Sequence, residues 1–147
     1  MSTNDKKWPG ISIPEEDRDI VDKIRKQEGI FRGIDQKDLL IIAAAMATKT
    51  NAPATEAGSG RKIDTVNPGL INQYSYREFR QYIALIYYNT AGEKDISSMS
   101  DPKTMVDNFI EYAHRGLRVM DMIYAESPDG DSKMDEMFVE YLSKVSR

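Results

Sequence analysis

Apolar residues in this chain recur at three- and four-residue spacing, and strict alternation with polar residues is absent, which predicts helices almost throughout. Residues 1–11 read as a flexible arm. A first helix is expected from Ser12, where Ser12 and Glu15 can form a capping box around Pro14, through Ile20, Val21 and Ile24 to about Glu28, with Gly29 as its stop. Asp35 is a good N-cap for a second helix, Lys37-Asp38-Leu39-Leu40-Ile41-Ile42 followed by alanines and Met46. That segment is apolar nearly all round, so it is expected to be the central, most buried helix. Thr50 to Ile71 is largely Asn, Ala, Pro, Thr and Gly with Arg and Lys, a long loop with room for a short strand at 62–66. Ser75 and Glu78 can cap a third helix carrying Phe79, Ile83 and Ile86, which Ala91-Gly92 would end. Asp101-Pro102 opens a long fourth helix reaching about Glu126, Ser127 to Gly130 breaks it, and a last helix follows from Ser132 to Val145. The expected architecture is a single all-α domain over 12–147, a bundle of about five helices with one long loop.

On the long fourth helix, a turn of about 100° per residue places Val106, Phe109, Ile110, Gly116, Leu117, Met120 and Tyr124 around Ala113 as one buried stripe. Glu111 falls on the opposite side. His114 falls on the flank, on an outer face with Asp107, Arg115, Arg118 and Asp121. Gly116 is the odd member of the stripe. Glycine inside a helix costs about 0.8–1 kcal/mol relative to alanine, so its presence there predicts that another helix crosses close by.

Composition narrows the chemistry. The chain has 147 residues and no cysteine, which removes disulfides, thiolate metal sites, cysteine nucleophiles and iron–sulfur clusters, and fits a reducing cytoplasm. No apolar run approaches the length of a membrane span, and Met1 to Gly10 lacks the apolar centre of a signal peptide. Net charge is −4, which argues against nucleic acid as the main partner, although Arg61 and Lys62 with the basic arm leave direct contact open.

The only histidine follows Glu111 by three residues, and Glu-x-x-His on a helix is half of a carboxylate-bridged di-iron site. Such a site needs two pairs projecting into a bundle interior, whereas this chain has one, on a face turned outward. The simpler expectation is a solvated face on which Glu111 pairs with Arg115 at i, i+4. "GSGRK" at 58–62 lacks the spacing of a phosphate loop, and an EF-hand with Gly130 as its turn glycine would put the first ligand on Ala125. No serine, carboxylate pair or metal cluster identifies a catalytic centre, and no cofactor is implied. The eight tyrosines, together with eight methionines, are more informative. Tyr76, Tyr82, Tyr87 and Tyr88 lie on more than one face of the third helix, so some must stand outside the core, where tyrosine favours protein interfaces.

Three stretches carry a resemblance. Phe31 is followed by Lys37-Asp38 and a hydrophobic-alanine helix; Thr90-Ala91-Gly92 is followed by Asp95-Ile96 and Met99; Glu111-Tyr112-Ala113 is followed by Gly116-Leu117. In this order, over residues 23–145, the chain resembles small helical proteins associated with Dnd systems, which carry out DNA phosphorothioation and the restriction defence linked to it. This chain has His114 where that family tends to have Asn, which argues against a role for the imidazole. The resemblance implies a cytoplasmic accessory of prokaryotic anti-phage defence, docking to protein partners, with self-association open and no catalytic residue to carry over. The alternatives are a nucleic-acid-contacting adaptor using Arg61 and Lys62, and a small enzyme with a metal or acid/base site at Glu111 and His114.

Overall fold

The computed structural model describes residues 7–27, 29–50, 52, 54, 61–91, 101–126, 139 and 143. In chain order these form β1 (Ile11–Pro14), α1 (Glu15–Lys26), α2 (Gln36–Thr50), β2 (Lys62–Val66), the short α3 (Pro68–Ile71), a 3-10 turn (Tyr74–Tyr76), α4 (Arg77–Ala91) and α5 (Pro102–Glu126). The protein is mostly helical, as the periodicity predicts, with one small two-stranded sheet added.

The most extensive contact joins α2 to α5, and α4 packs against both while α1 lies against α5. Leu39, Leu40, Ala43, Ala44, Met46 and Ala47 of α2 are buried, so the nearly all-round apolar pattern does mark a central helix. Phe109, Leu117 and Met120 of α5 are fully buried with Leu39, Leu40, Ile24 and Ile83. Each such side chain stabilises the fold by about 1.5–3 kcal/mol relative to exposure. The Phe79 ring meets Phe109 edge to face at 5.7 Å, which fixes α4 on α5.

Gly116 lies where the two central helices touch. A Cβ built on it would stand 1.9 Å from the Ala43 carbonyl oxygen and 2.8 Å from the Ala43 Cα. The expected close crossing is therefore present, and it is made by backbone against backbone.

The N-terminal region differs from the expected arm and capping box. Ile11 and Ile13 are buried in an antiparallel ladder, with Ile13 opposite Ile63 and Ser12 opposite Asp64. The Ser12 hydroxyl donates to Asp64 Oδ1 at 2.6 Å instead of capping a helix, and α1 begins at Glu15 with no side-chain cap. A four-residue strand with two buried isoleucines is too short to stand out as alternation, so a helix signal beginning at Glu15 overran it. Upstream, the Trp8 N–H donates to Asn72 Oδ1 and its carbonyl accepts from Asn72 Nδ2, both at 2.9 Å. Gly10 permits this path, since a Cβ there would meet the Val66 carbonyl oxygen at 2.7 Å. Residues 8–11 of the expected arm are thus tied to the fold, and residues 1–6 lie outside the described residues.

The expected Ser75–Glu78 capping box also gives way. Ser75 sits inside the 3-10 turn that runs directly into α4, and Arg77 Nη1 donates to the Tyr74 hydroxyl at 2.6 Å across that junction. Asp101 does cap α5: its carboxylate accepts from the Thr104 hydroxyl at 2.6 Å and the Lys103 N–H at 3.3 Å. The Gly92 stop and most of the predicted last helix lie outside the described residues; Val139 and Ser143, within the latter, are both helical.

Candidate functional site

Six of the positions singled out from the sequence, Glu111, Tyr112, Ala113, His114, Gly116 and Leu117, share α5, and the structure separates them. Glu111 Oε2 accepts from Arg115 Nε at 2.8 Å, and the Arg115 guanidinium lies 4.4 Å from the centroid of the Tyr112 ring. This is the surface pair the spacing predicts. Ala113, Gly116 and Leu117 face inward.

His114 does not lie on a solvated face, which corrects the helical-wheel reading. It is 4% exposed, and its Nδ1 lies 2.7 Å and 3.0 Å from the two carboxylate oxygens of Asp17, itself 1% exposed. Where Asp17 is ionised its carboxylate only accepts, and Nδ1 then carries the hydrogen. The wheel assumed one buried side. α5 is covered by α2 across Gly116 and by α1 beside it, and the second neighbour extends the buried arc to His114. Glu111 and His114 therefore point to different partners, and no group of three or more His, Asp or Glu residues suited to a metal ion occurs among the described residues.

Asp17 is the residue sequence reasoning missed. It stands on the apolar stripe of α1, three, four and seven positions before Ile20, Val21 and Ile24, and all four are buried. A carboxylate at that register was the available signal, since a buried acid needs a partner. Burial pushes the Asp17 carboxyl above its ordinary range; the hydrogen bond and charge of His114 and the charge of Arg118 oppose the rise without cancelling it. Arg118 Nη2 lies 3.4 Å from Asp17 Oδ1 and 2.9 Å from Glu16 Oε2, while its buried Nε has no hydrogen-bond partner. Alongside, Lys23 pairs with Asp121. The cluster is closed to solvent at Asp17 and nearly so at His114, and it ties α1 to α5.

The tyrosines divide between core and surface. Tyr87 is 6% exposed and belongs to the core, which removes it from the expected interaction surface, and Tyr76 is half-buried, its ring edge against Phe79 at 6.0 Å. Tyr82 and Tyr88 are 49% and 53% exposed, and Leu85 between them is 55% exposed. Gln81, Ala84, Leu85 and Tyr88 line an apolar groove of about 400 Å³ on the outer side of α4. Leu85 had not been singled out; its place at i+3 from Tyr82 and i−3 from Tyr88 was the clue.

Of the remaining sequence candidates, Arg61, Lys37 and Asp38 are engaged within the protein. Arg61 Nε bonds Glu15 Oε2 at 2.9 Å, and its carbonyl accepts the Glu15 N–H at 2.9 Å. Lys62 is exposed on β2. Lys37 Nζ lies 3.1 Å from Asp38 and 3.6 Å from Asp35, and 5.8 Å from the centroid of the Tyr76 ring. Burial lowers the Lys37 pKa, but the hydrogen bond to Asp38 and the neighbouring negative charges more than offset this and hold it above its ordinary value. Gly92 is outside the described residues. No helix among the described residues is long and apolar enough to cross a membrane.

These features define a helical protein with a closed charged cluster inside and an apolar strip outside. Comparison with protein-family models, with curated proteins and with solved structures found no match.

Proposed function

We propose that this protein is a non-catalytic accessory of a prokaryotic DNA phosphorothioation-linked defence system and acts by docking to protein partners of that system through the outer face of α4. The observation that carries the reading is the row of Tyr82, Leu85 and Tyr88, each about half exposed with no need from the fold. Isolated apolar residues on a surface are ordinary, but here Leu85 and Tyr88 border an apolar groove and Tyr82 stands exposed on the same helix. Tyrosine supplies a large contact area with few rotatable bonds, which suits an interface anchor. The resemblance of the three sequence stretches to Dnd-associated proteins names the system, and genes encoding phosphorothioation or helicase–nuclease proteins are the neighbours it leads one to expect.

The adaptor alternative draws less support, because Arg61 is already paired with Glu15. The alternative of an active site at Glu111 and His114 loses its geometry when the two side chains bond Arg115 and Asp17 instead. The test is co-purification from the native host with wild-type protein and with Leu85→Asp as bait. Recovery of phosphorothioation-system proteins with the wild type, and their loss with a folded Leu85→Asp protein, is the expected result. Recovery of none of them by the wild type, or equal recovery by both baits, would overturn the reading.

A further inference from the structure

Between α1, the first turn of α2 and β2 lies a polar cleft of about 290 Å³. Three cations line it: Arg18 and Arg25 of α1, seven residues apart on one helix face, and Lys37 of α2. Asp35, Asp64 and Thr65 line it too. A chain of net charge −4 has brought three half-buried positive groups to one concave place.

The bonds those cations make leave part of their donor capacity unused. Arg18 meets Asp22 through Nε at 3.4 Å, and Arg25 donates through Nε to the Ile34 carbonyl at 2.6 Å. The terminal nitrogens of both guanidinium groups have no protein partner among the described residues. The Nε bonds fix the direction of each planar fork while leaving its outer donors free, the arrangement that suits two-point recognition of phosphate oxygens. Lys37 adds a point charge whose position is set by Asp35, Asp38 and the Tyr76 ring.

The carboxylates decide what else the ligand must carry. Asp64 and Asp35 would repel a bare dianion and the second carboxylate of an acidic peptide, but they accept hydrogen bonds from hydroxyl groups. The volume lies just below the roughly 300–1,000 Å³ of ordinary small-molecule pockets, so it fits one small molecule and excludes a nucleic-acid duplex.

We propose that this cleft is a binding site for a small sugar phosphate, with Arg18, Arg25 and Lys37 holding the phosphate and Asp64 and Asp35 accepting from the sugar hydroxyls. The proposal is independent of the docking reading, since the cleft and the α4 groove share no residue.

The test is a titration of the isotope-labelled full chain followed by amide NMR, with ribose 5-phosphate, inorganic phosphate and ribose as separate probes. Saturable shifts confined to residues 36–38 and 64–66 are expected with ribose 5-phosphate. Binding of inorganic phosphate should be weaker by about tenfold or more, and ribose alone should not bind. Arg18→Gln should weaken ribose 5-phosphate by about tenfold, the loss of one charge-assisted pair. Arg18 has only its pair with Asp22 to lose, so this variant should stay folded; Lys37→Gln gives a second test that leaves the Arg25 bond to the Ile34 carbonyl in place. Absence of saturation at millimolar ribose 5-phosphate, equal affinity for inorganic phosphate, or unchanged affinity in folded Arg18→Gln and Lys37→Gln proteins would each overturn the assignment.

Discussion

Gly116 shows how one position can reverse a general preference. On an isolated helix, Gly116→Ala would gain about 0.8–1 kcal/mol. Here the new methyl would lie 1.9 Å from a backbone oxygen of α2, which cannot rotate out of the way as a side chain could. The two central helices must separate, and overpacking of this kind typically costs about 1–3 kcal/mol. Gly116→Ala is therefore expected to lower the melting temperature, and Gly116→Leu to lower it further. A melting temperature equal to or above that of the wild type in the alanine variant would show that the crossing is looser than described. The same scale explains what the sequence reading reached and what it lost. A glycine on an apolar stripe is legible because its cost demands a reason. The partner of His114 was hidden because Asp17 is 97 residues away, and nothing local says that two polar residues on separate helices will meet.

At the scale of elements, caps divided according to whether the chain before the helix was free to serve. Asp101 is, and it takes both the Thr104 hydroxyl and the Lys103 N–H. Asp101→Ala should cost about 1 kcal/mol, read as a drop in unfolding free energy by urea titration. No measurable change would mean that the first turn of α5 is held by packing alone. Ser12 and Ser75 had equally good spacing, but the first is paired in a strand and the second is inside a 3-10 turn. Helix cores were legible because period and burial agree over three or more turns. Their starts were not, because tertiary pairing competes for the same hydroxyl. The two short strands fell below the length at which alternation can be recognised, and only the 62–66 segment gave a hint.

Across the whole molecule, the buried cluster makes stability depend on pH. Asp17 has a folded-state pKa above the ordinary 3.8, chiefly because burial disfavours its charge. Its contribution to stability is therefore full below that value and is lost as pH rises through the folded-state pKa. Removing the imidazole leaves the carboxylate buried with less compensation. His114→Ala should destabilise by about 3–5 kcal/mol where Asp17 is ionised, and by less once acid neutralises it. Urea unfolding of wild type and His114→Ala across that pH range checks the sign; a penalty that grows on acidification would contradict it. The apolar row on α4 also belongs to this scale, because whether Tyr82, Leu85 and Tyr88 are surface or interface depends on a partner that one chain does not contain.

The bond between Asp17 and His114 has a consequence for synthesis. Chains emerge at about 5–20 residues per second, so roughly 5–20 s pass between the appearance of the acid and that of its partner 97 residues later. Through that interval α1 carries Ile20, Val21 and Ile24 on a face whose cover, α5, has not yet been made. The apolar face of α1 is thus covered only once α5 has been made, and until then it stands open on the nascent chain.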